Sequence, residues 1–161
     1  MPLMKGLDIT IFVDADHAHD KATGRSITGM VSFVGRTPIY WCSKRQSAVQ
    51  TSTFGLEFTA LKRAVEEAIT LRYYLRAMGI KISKPAIIYG DNLSAITNTI
   101  EPGSALKKKH IALAYYFFRE YYSGNVVEIR KIDTKDNYSD PFTKALVSTE
   151  FHGHINEMME N

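Results

Sequence analysis

The apolar residues of this chain change their spacing part-way along it, and this change limits the folds available. Up to about residue 45 they alternate with polar residues or form short runs, the pattern of β-strands joined by tight turns. From Phe54 to Met78 they recur every three or four residues, which predicts one long amphipathic helix. After Pro85, short apolar runs alternate with helical segments. The chain therefore combines a strand-rich first part with a β–α second part.

The predicted elements are three strands, a long helix, a strand, two helices, a strand and a closing helix. They span Leu7–Asp14, Ser26–Gly35, Ile39–Ser43, Phe54–Met78, Ala86–Tyr89, Leu93–Ile100, Lys107–Tyr122, Val126–Ile132 and Asn137–Ala145. This order implies an α/β fold in which a mixed five-stranded sheet is flanked by helices. We expect residues 1–147 to form this domain and residues 148–161 to form a C-terminal tail or peripheral helix.

Composition excludes several classes of protein. With 161 residues and a net charge of +3, the chain has the size of a single domain and lacks the strong overall positive field of many nucleic-acid-binding proteins. Any basic footprint must therefore be local. One cysteine, Cys42, rules out an internal disulfide and fits a reducing compartment. No apolar run approaches the length of a membrane span, so we expect a soluble intracellular protein without a membrane partner.

Four acids stand at positions that the predicted topology brings together. Asp14 ends the first strand and Asp91 follows the fourth, so a crossover that places these strands side by side also places the two carboxylates side by side. Glu57 lies in the first turn of the long helix, and Asp140 lies in the predicted closing helix. Each acid alone would be an ordinary strand end, turn or helix cap. Their combination predicts one convergent site.

A cluster of carboxylates needs cations, because like charges at short range repel and raise each other's pKa. Oxygen ligands without His or Cys select hard ions such as Mg²⁺ or Mn²⁺. Two such ions about 3.5–4 Å apart can drive hydrolysis of a phosphodiester. On this interpretation Asp14 bridges both ions, Glu57 and Asp91 hold one, and Asp140 completes the other.

Several short motifs occur in a specific order along about residues 8–147. They are Val13–Asp16, Trp41–Gln46, Thr51–Phe58, Tyr89–Ile96, Lys109–Ile111, Arg119-Glu120 and Asn137–Leu146. Together they resemble the ribonuclease H region of copia-type (Pseudoviridae) retrotransposon polyproteins. The resemblance implies a ribonuclease H-like fold with Asp14, Glu57, Asp91 and Asp140 as the catalytic acids. It also implies two Mg²⁺ ions, with Mn²⁺ as a possible substitute.

The same resemblance implies a substrate and a partner. The substrate would be the RNA strand of RNA–DNA hybrids made during reverse transcription, and the partner would be the polymerase domain of the parent polyprotein. The location would be the cytoplasm, a virus-like particle or the nucleus.

The chain also departs from its relatives. Gly55 stands where copia-type sequences often carry a second acid, which leaves Glu57 as the helix acid. Leu93 stands where some ribonucleases H carry a glutamine, and the mobile catalytic histidine of several relatives has no match in Arg130–Asp136.

Polar and basic residues near the acids are candidates for gripping a hybrid, which proteins recognise largely through phosphates and 2′-hydroxyls. The candidates are Ser43, Gln46, Thr51, Ser52, Thr53, Asn92, Ser94, Lys107, Lys108, Lys109 and His110. Capping and turn formation are alternative roles for the hydroxyl residues, and a solvated helix start is the alternative for the basic run.

Two other functions fit the same fold. An integrase-like or junction-resolving nuclease would need a glutamate on a late helix, whereas Glu128 lies on a predicted strand. A non-catalytic or domesticated nucleic-acid-binding domain would typically have lost an acid, and all four are present here.

Overall fold

The computed structural model describes residues 7–20, 25–46, 53–91, 109–144 and 146–160. The strands are β1 Ile9–Asp20, β2 Arg25–Val34, β3 Thr37–Arg45, β4 Ala86–Gly90 and β5 Val127–Lys131. The helices are α1 Thr53–Ala77, α2 Lys109–Ser123 and α3 Ser148–Glu160. Single 3₁₀ turns lie at Thr134–Asp136 and Asp140–Phe142. The predicted helix Leu93–Ile100 falls outside the described residues.

The strands form one five-stranded sheet in the order β3-β2-β1-β4-β5. The hairpin strands β1, β2 and β3 pair antiparallel, whereas β4 pairs parallel with both β1 and β5. The predicted mixed α/β sheet is thereby confirmed. Strand β1 continues well past its predicted end at Asp14, because it pairs with β2 through Asp16 and Ile27 and again, after an irregularity, through Asp20 and Arg25.

Helices α1 and α2 cover one face of the sheet. The predicted apolar stripe of α1 is buried at Phe58, Leu61 and Val65, whereas Met78, the predicted end of the stripe, follows the helix and is exposed. Phe58 of α1 meets Phe118 of α2 edge to face, with ring centroids 4.8 Å apart. These residues pack in one cluster with the sheet, so α1 is held rigidly against the strands that carry the acids.

The opposite face of the sheet has a smaller apolar cluster. Phe12, Val31 and Phe33 are buried there against Met158 of α3. Phe12 also stacks on Tyr89 at 5.1 Å, which joins β1 to β4. Helix α3 therefore packs on the sheet. Within the described residues, no helix combines the length and apolarity that crossing a membrane would require.

The predicted closing helix Asn137–Ala145 is wrong. An α-helix beginning at Asn137 would need the N–H of residue 141 to bond the Asn137 carbonyl, but Pro141 has no N–H. Instead the Asp140 N–H donates to that carbonyl at 3.1 Å, and the chain forms the tighter 3₁₀ turn Asp140–Phe142. The last helix of the described chain is α3.

Candidate metal centre and active site

The pairing of β1 with β4 brings two of the acids to one place. The parallel register joins Ile11 to Ile88 and Phe12 to Tyr89, so the next pair on the same face is Asp14 and Asp91. Asp14 lies in the middle of β1 rather than at its end, but the pairing with β4 stops before it. The side chain of Asp14 is therefore next to the point where β4 ends.

Glu57 approaches from the first turns of α1, and it is buried. The side chain of Gln46 fixes this helix start, because its Nε2 donates to Thr28 Oγ1 at 3.0 Å and to the Leu56 carbonyl at 3.2 Å. Thr28 belongs to β2 and Leu56 precedes Glu57. The amide of Gln46 thus ties the glutamate-bearing turn to the sheet.

Asp14, Glu57 and Asp91 each offer a carboxylate oxygen, and these oxygens all lie within 4.8 Å of one another. Asp14 and Glu57 are buried and Asp91 is partly exposed, so the group is open on one side. Oxygen donors alone at this spacing fit a hard divalent cation. The residues present therefore suit a magnesium or manganese ion.

The electrostatics of the group agree with this. Burial raises the pKa of Glu57 from 4.5 to about 8, with further contributions from the charges of Asp14 and Asp91. Burial likewise raises the pKa of Asp14, although a hydrogen bond from Thr143 and the charge of Lys144 act in the opposite direction. Without a cation the Glu57 carboxyl therefore resists ionisation at neutral pH. A bound divalent ion would favour their charged forms.

Asp140 reaches the site from the turn after β5, but it is separate from the three-acid group. Both of its carboxylate oxygens face Lys144, whose Nζ is 3.2 Å from Oδ1 and 3.1 Å from Oδ2. The same Nζ lies 3.9 Å from Asp14 Oδ2. Lys144 therefore stands between the fourth acid and the first.

A buried hydrogen-bond network holds the turn that carries Asp140. The Asn137 side chain donates from Nδ2 to the Val13 carbonyl at 3.2 Å. Its Oδ1 accepts from the Ser139 hydroxyl at 2.7 Å and from the Ser139 N–H at 3.2 Å. Thr143 Oγ1 donates to Asp14 Oδ2 at 2.6 Å. The turn is thus bonded to β1 on both sides of Asp140.

Gly29 makes this close approach possible. It pairs with Asp14 across the sheet, and a Cβ placed on it would lie 2.6 Å from Thr143 Cγ2 and 2.8 Å from the Ser139 carbonyl oxygen. Real carbon atoms do not approach the backbone so closely. Any side chain at position 29 would push the Asp140 turn away from the sheet.

The sequence matches parts of much longer proteins. It is 32% identical over 151 residues to the Pol polyprotein of transposon RE1 from Arabidopsis thaliana, covering 92% of this chain. It is 31% identical over 150 residues to the Pol polyprotein of transposon TNT 1-94 from Nicotiana tabacum, covering 93% of this chain. The chain spans about a tenth of the length of these relatives. No protein-family model matches it.

Solved structures that it resembles include ribonuclease H domains. The N-terminal RNase H domain of a Mycobacterium tuberculosis protein superposes with a TM-score of 0.63 at 12% identity, covering 94% of this chain and 99% of the other. LC11-RNase H1, solved in complex with an RNA/DNA hybrid, gives a TM-score of 0.62 at 15% identity, covering 84% and 94%.

The chain is a ribonuclease H-like domain homologous to transposon Pol polyproteins. The resemblance drawn from the ordered motifs is thereby confirmed. At these low identities the solved structures establish the fold of the chain alone.

The other predicted contact residues of the ribonuclease H-like domain are distributed as follows. Ser43 is exposed near the end of β3, where it pairs with Gly29, and Gln46 is buried against α1. Thr53, Lys109 and His110 belong to the first turns of α1 and α2, and their side chains lie outside the described residues. Wholly outside them are Thr51, Ser52, Asn92, Ser94, Lys107 and Lys108.

Four residues that shape the site had no predicted role: Gly29, Asn137, Thr143 and Lys144. The last three lie in the motif Asn137–Leu146, which singled out the segment without giving these residues a role. Thr134, which also had no predicted role, donates from Oγ1 to Asp91 Oδ2 at 3.2 Å. For Gly29 the sequence offered only a glycine inside a strand, which indicates a close approach without naming the partner.

Proposed function

We propose that this domain is a metal-dependent endoribonuclease that hydrolyses the RNA strand of RNA–DNA hybrids. The observation that carries the proposal is the convergence of Asp14, Glu57 and Asp91, whose ligand oxygens lie within 4.8 Å of one another. The fold supports it, since a structural neighbour was solved with an RNA/DNA hybrid.

The site would use two Mg²⁺ ions, with Mn²⁺ as a substitute. Asp14, Glu57 and Asp91 would hold the first, and Asp14 with Asp140 would hold the second. Bound divalent ions of this kind lower the pKa of water and stabilise the charge that develops on a phosphodiester. The protein's part is to fix the four acids, through the β1–β4 register, the buried start of α1 and the turn tied to Val13 by Asn137.

The hybrid would lie across the open side of the acid group. Ser43 is exposed on β3 and could donate to a phosphate or 2′-hydroxyl. The Nε2 group of Gln46 already donates to Thr28 and to the Leu56 carbonyl. We therefore propose that Gln46 positions α1 and does not contact the substrate. We keep Thr51, Ser52, Thr53, Asn92, Ser94, Lys107, Lys108, Lys109 and His110 as proposed substrate contacts.

The biological setting follows from the relatives. We propose that residues 1–147, with α3 packed against them, act within a retrotransposon Pol polyprotein during reverse transcription, next to its polymerase domain. The setting would be the cytoplasm, a virus-like particle or the nucleus.

The integrase-like alternative gains no support from the site. Glu128 lies in β5, where it pairs with Ile87 and its Oε1 is 2.7 Å from Arg130 Nε. It is therefore bonded on a strand, and the described three-acid group does not include it.

A cleavage assay tests the proposal. The protein is incubated with labelled RNA–DNA hybrid, duplex RNA and duplex DNA in Mg²⁺, Mn²⁺ or EDTA. Cutting of the hybrid's RNA alone, dependent on metal, is the expected result. The absence of cutting under every condition would contradict the proposal, and cutting of duplex DNA would favour the integrase-like reading.

The variant Asp91→Asn tests the site. It removes one ligand charge from a partly exposed position, so we expect hybrid cleavage to fall by about a thousandfold or more while the thermal unfolding curve is kept. Asp136→Asn removes the same charge from an exposed position outside the acid group and serves as the matched control. Normal cleavage by Asp91→Asn would show that the assignment is wrong.

A further inference from the structure

Lys144 places its ammonium group inside the acidic site. Its Nζ is within 3.2 Å of both Asp140 oxygens and 3.9 Å from Asp14 Oδ2. In the two-ion arrangement proposed above, Asp14 and Asp140 are the acids that share the second ion. The ammonium therefore occupies the space between the two ligands of that ion.

The ammonium of Lys144 is paired with two of the acids. Its Nζ lies 3.1 Å from Asp140 Oδ2 and 3.9 Å from Asp14 Oδ2. The charge of Lys144 also acts on Glu57 and Asp91, but among the described contacts its ion pairs are with Asp140 and Asp14. The two ion positions thus differ. The position between Asp14 and Asp140 is occupied by the Lys144 ammonium, whereas the position among Asp14, Glu57 and Asp91 is open to a metal ion.

Asp140 is held in place by backbone hydrogen bonds that do not involve the Lys144 side chain. Its N–H donates to the Asn137 carbonyl at 3.1 Å, and its own carbonyl accepts from the Thr143 and Lys144 N–H groups at 3.0 Å. Asn137 is in turn bonded to Val13 of β1. The Lys144 side chain is 39% exposed, so its ammonium can swing into solvent while the turn stays where it is.

We propose that the Lys144 ammonium is a built-in competitor for the second divalent ion, so that the two ions bind with unequal affinity. The first ion binds to Asp14, Glu57 and Asp91. The second ion binds between Asp14 and Asp140 only when the Lys144 side chain moves out. This inference rests on the proposed two-ion site.

Two other roles for Lys144 predict different results. If Lys144 mainly anchors Asp140, its removal would loosen the acid and weaken binding of the second ion. If it mainly grips a phosphate of the nucleic acid, its removal would leave ion binding unchanged in the absence of nucleic acid. Competition predicts the opposite sign from anchoring, because the removal of a positive charge frees two carboxylates.

Isothermal titration calorimetry with Mn²⁺, without nucleic acid, measures this directly. Lys144→Met keeps the length of the side chain and removes its charge, so the dissociation constant of the weaker ion should fall about three- to tenfold. Lys144→Arg keeps the charge in a fork that binds carboxylates at two points, and it should leave that constant unchanged or raise it. Asp140→Asn should abolish the weaker event, which identifies it as the second ion.

Lys84→Met is the matched control, because Lys84 is an exposed lysine paired with Asp8 at 2.9 Å, outside the acidic site. It should leave both events unchanged. Weaker or unchanged second-ion binding in Lys144→Met would overturn the proposal, as would a single binding event in both the unchanged protein and that variant. Hybrid cleavage by the unchanged protein tests the proposed function separately, so the two failures can be told apart.

Discussion

Glu57 should destabilise the metal-free protein at neutral pH, and its replacement by Gln should relieve this. Its carboxyl is buried next to Asp14 and Asp91, and its pKa is raised from 4.5 to about 8. Between these two values the unfolded chain has released the Glu57 proton while the folded protein keeps it. Because the unfolded state binds fewer protons there, the free energy of unfolding falls as pH rises from about 4.5 to about 8.

The size of the effect follows from the two pKa values. Raising the pKa of Glu57 from 4.5 to about 8 lowers the free energy of unfolding by about 5 kcal/mol once the pH is above both values. About 4 kcal/mol of this loss is reached near pH 7.5. Gln has nearly the same shape and no charge to ionise. We therefore expect metal-free Glu57→Gln to gain up to about 4 kcal/mol near pH 7.5, or roughly 10 °C in melting temperature for a domain of this size.

Urea unfolding of the two proteins in EDTA, from about pH 4.5 to about pH 8.5, measures this gain. The difference should be near zero at the acidic end and grow with pH. In saturating Mg²⁺ the unchanged protein should become more stable than Glu57→Gln, because the ion binds its ionised carboxylate and stabilises the folded state. Glu66→Gln, an exposed change on the same helix, should differ by less than about 0.5 kcal/mol at any pH.

A flat pH profile for the unchanged metal-free protein would refute this reasoning. So would a lower stability of Glu57→Gln near pH 7.5, since it would mean that the carboxylate makes favourable contacts in the absence of metal.

Two further changes test the turn that carries Asp140. Gly29→Ala places a methyl group against Thr143 and the Ser139 carbonyl, so it should cost about 1–3 kcal/mol in urea unfolding and weaken second-ion binding more than first-ion binding in calorimetry. An unperturbed second ion would show that the contact does not position Asp140. Thr143→Val removes the hydrogen bond to Asp14, so it should lower the free energy of unfolding by about 1–2 kcal/mol and weaken metal binding near neutral pH. Thr143→Ser keeps the hydroxyl and should keep both the stability and the metal affinity. If Thr143→Val and Thr143→Ser had the same stability and the same metal affinity, the hydroxyl would not have the role given to it here.

The sequence predicted the sheet and the long helix because both leave a periodic apolar pattern. The stripe of α1 includes Leu61, Val65 and Ala68, all buried as expected. The order of strands followed from the change between hairpins and β–α units, and it brought Asp14 beside Asp91. These features depend on many residues acting together, so single exceptions do not hide them.

The turn around Asp140 could not be predicted in the same way. Its conformation depends on Pro141, which removes one helical hydrogen bond, and on Asn137, which bonds to Val13 far away in the sequence. Its distance from the sheet depends on the missing side chain of Gly29. Pro141 acts locally, and the other two are single contacts across the fold, so none of the three leaves a repeat in the sequence.

This difference in how the acids are held bears on the chemistry. Asp14 and Glu57 are carried by β1 and α1, and Asp91 directly follows β4. These elements pack around one core and so bring the three carboxylates together. That proximity is unfavourable in the absence of metal, as the raised pKa values of Asp14 and Glu57 show. Asp140 is held by a turn and paired with Lys144, which offsets part of the negative charge. In the proposed two-ion site, a first cation would relieve the repulsion among Asp14, Glu57 and Asp91, and a second would have to displace the Lys144 ammonium from Asp140.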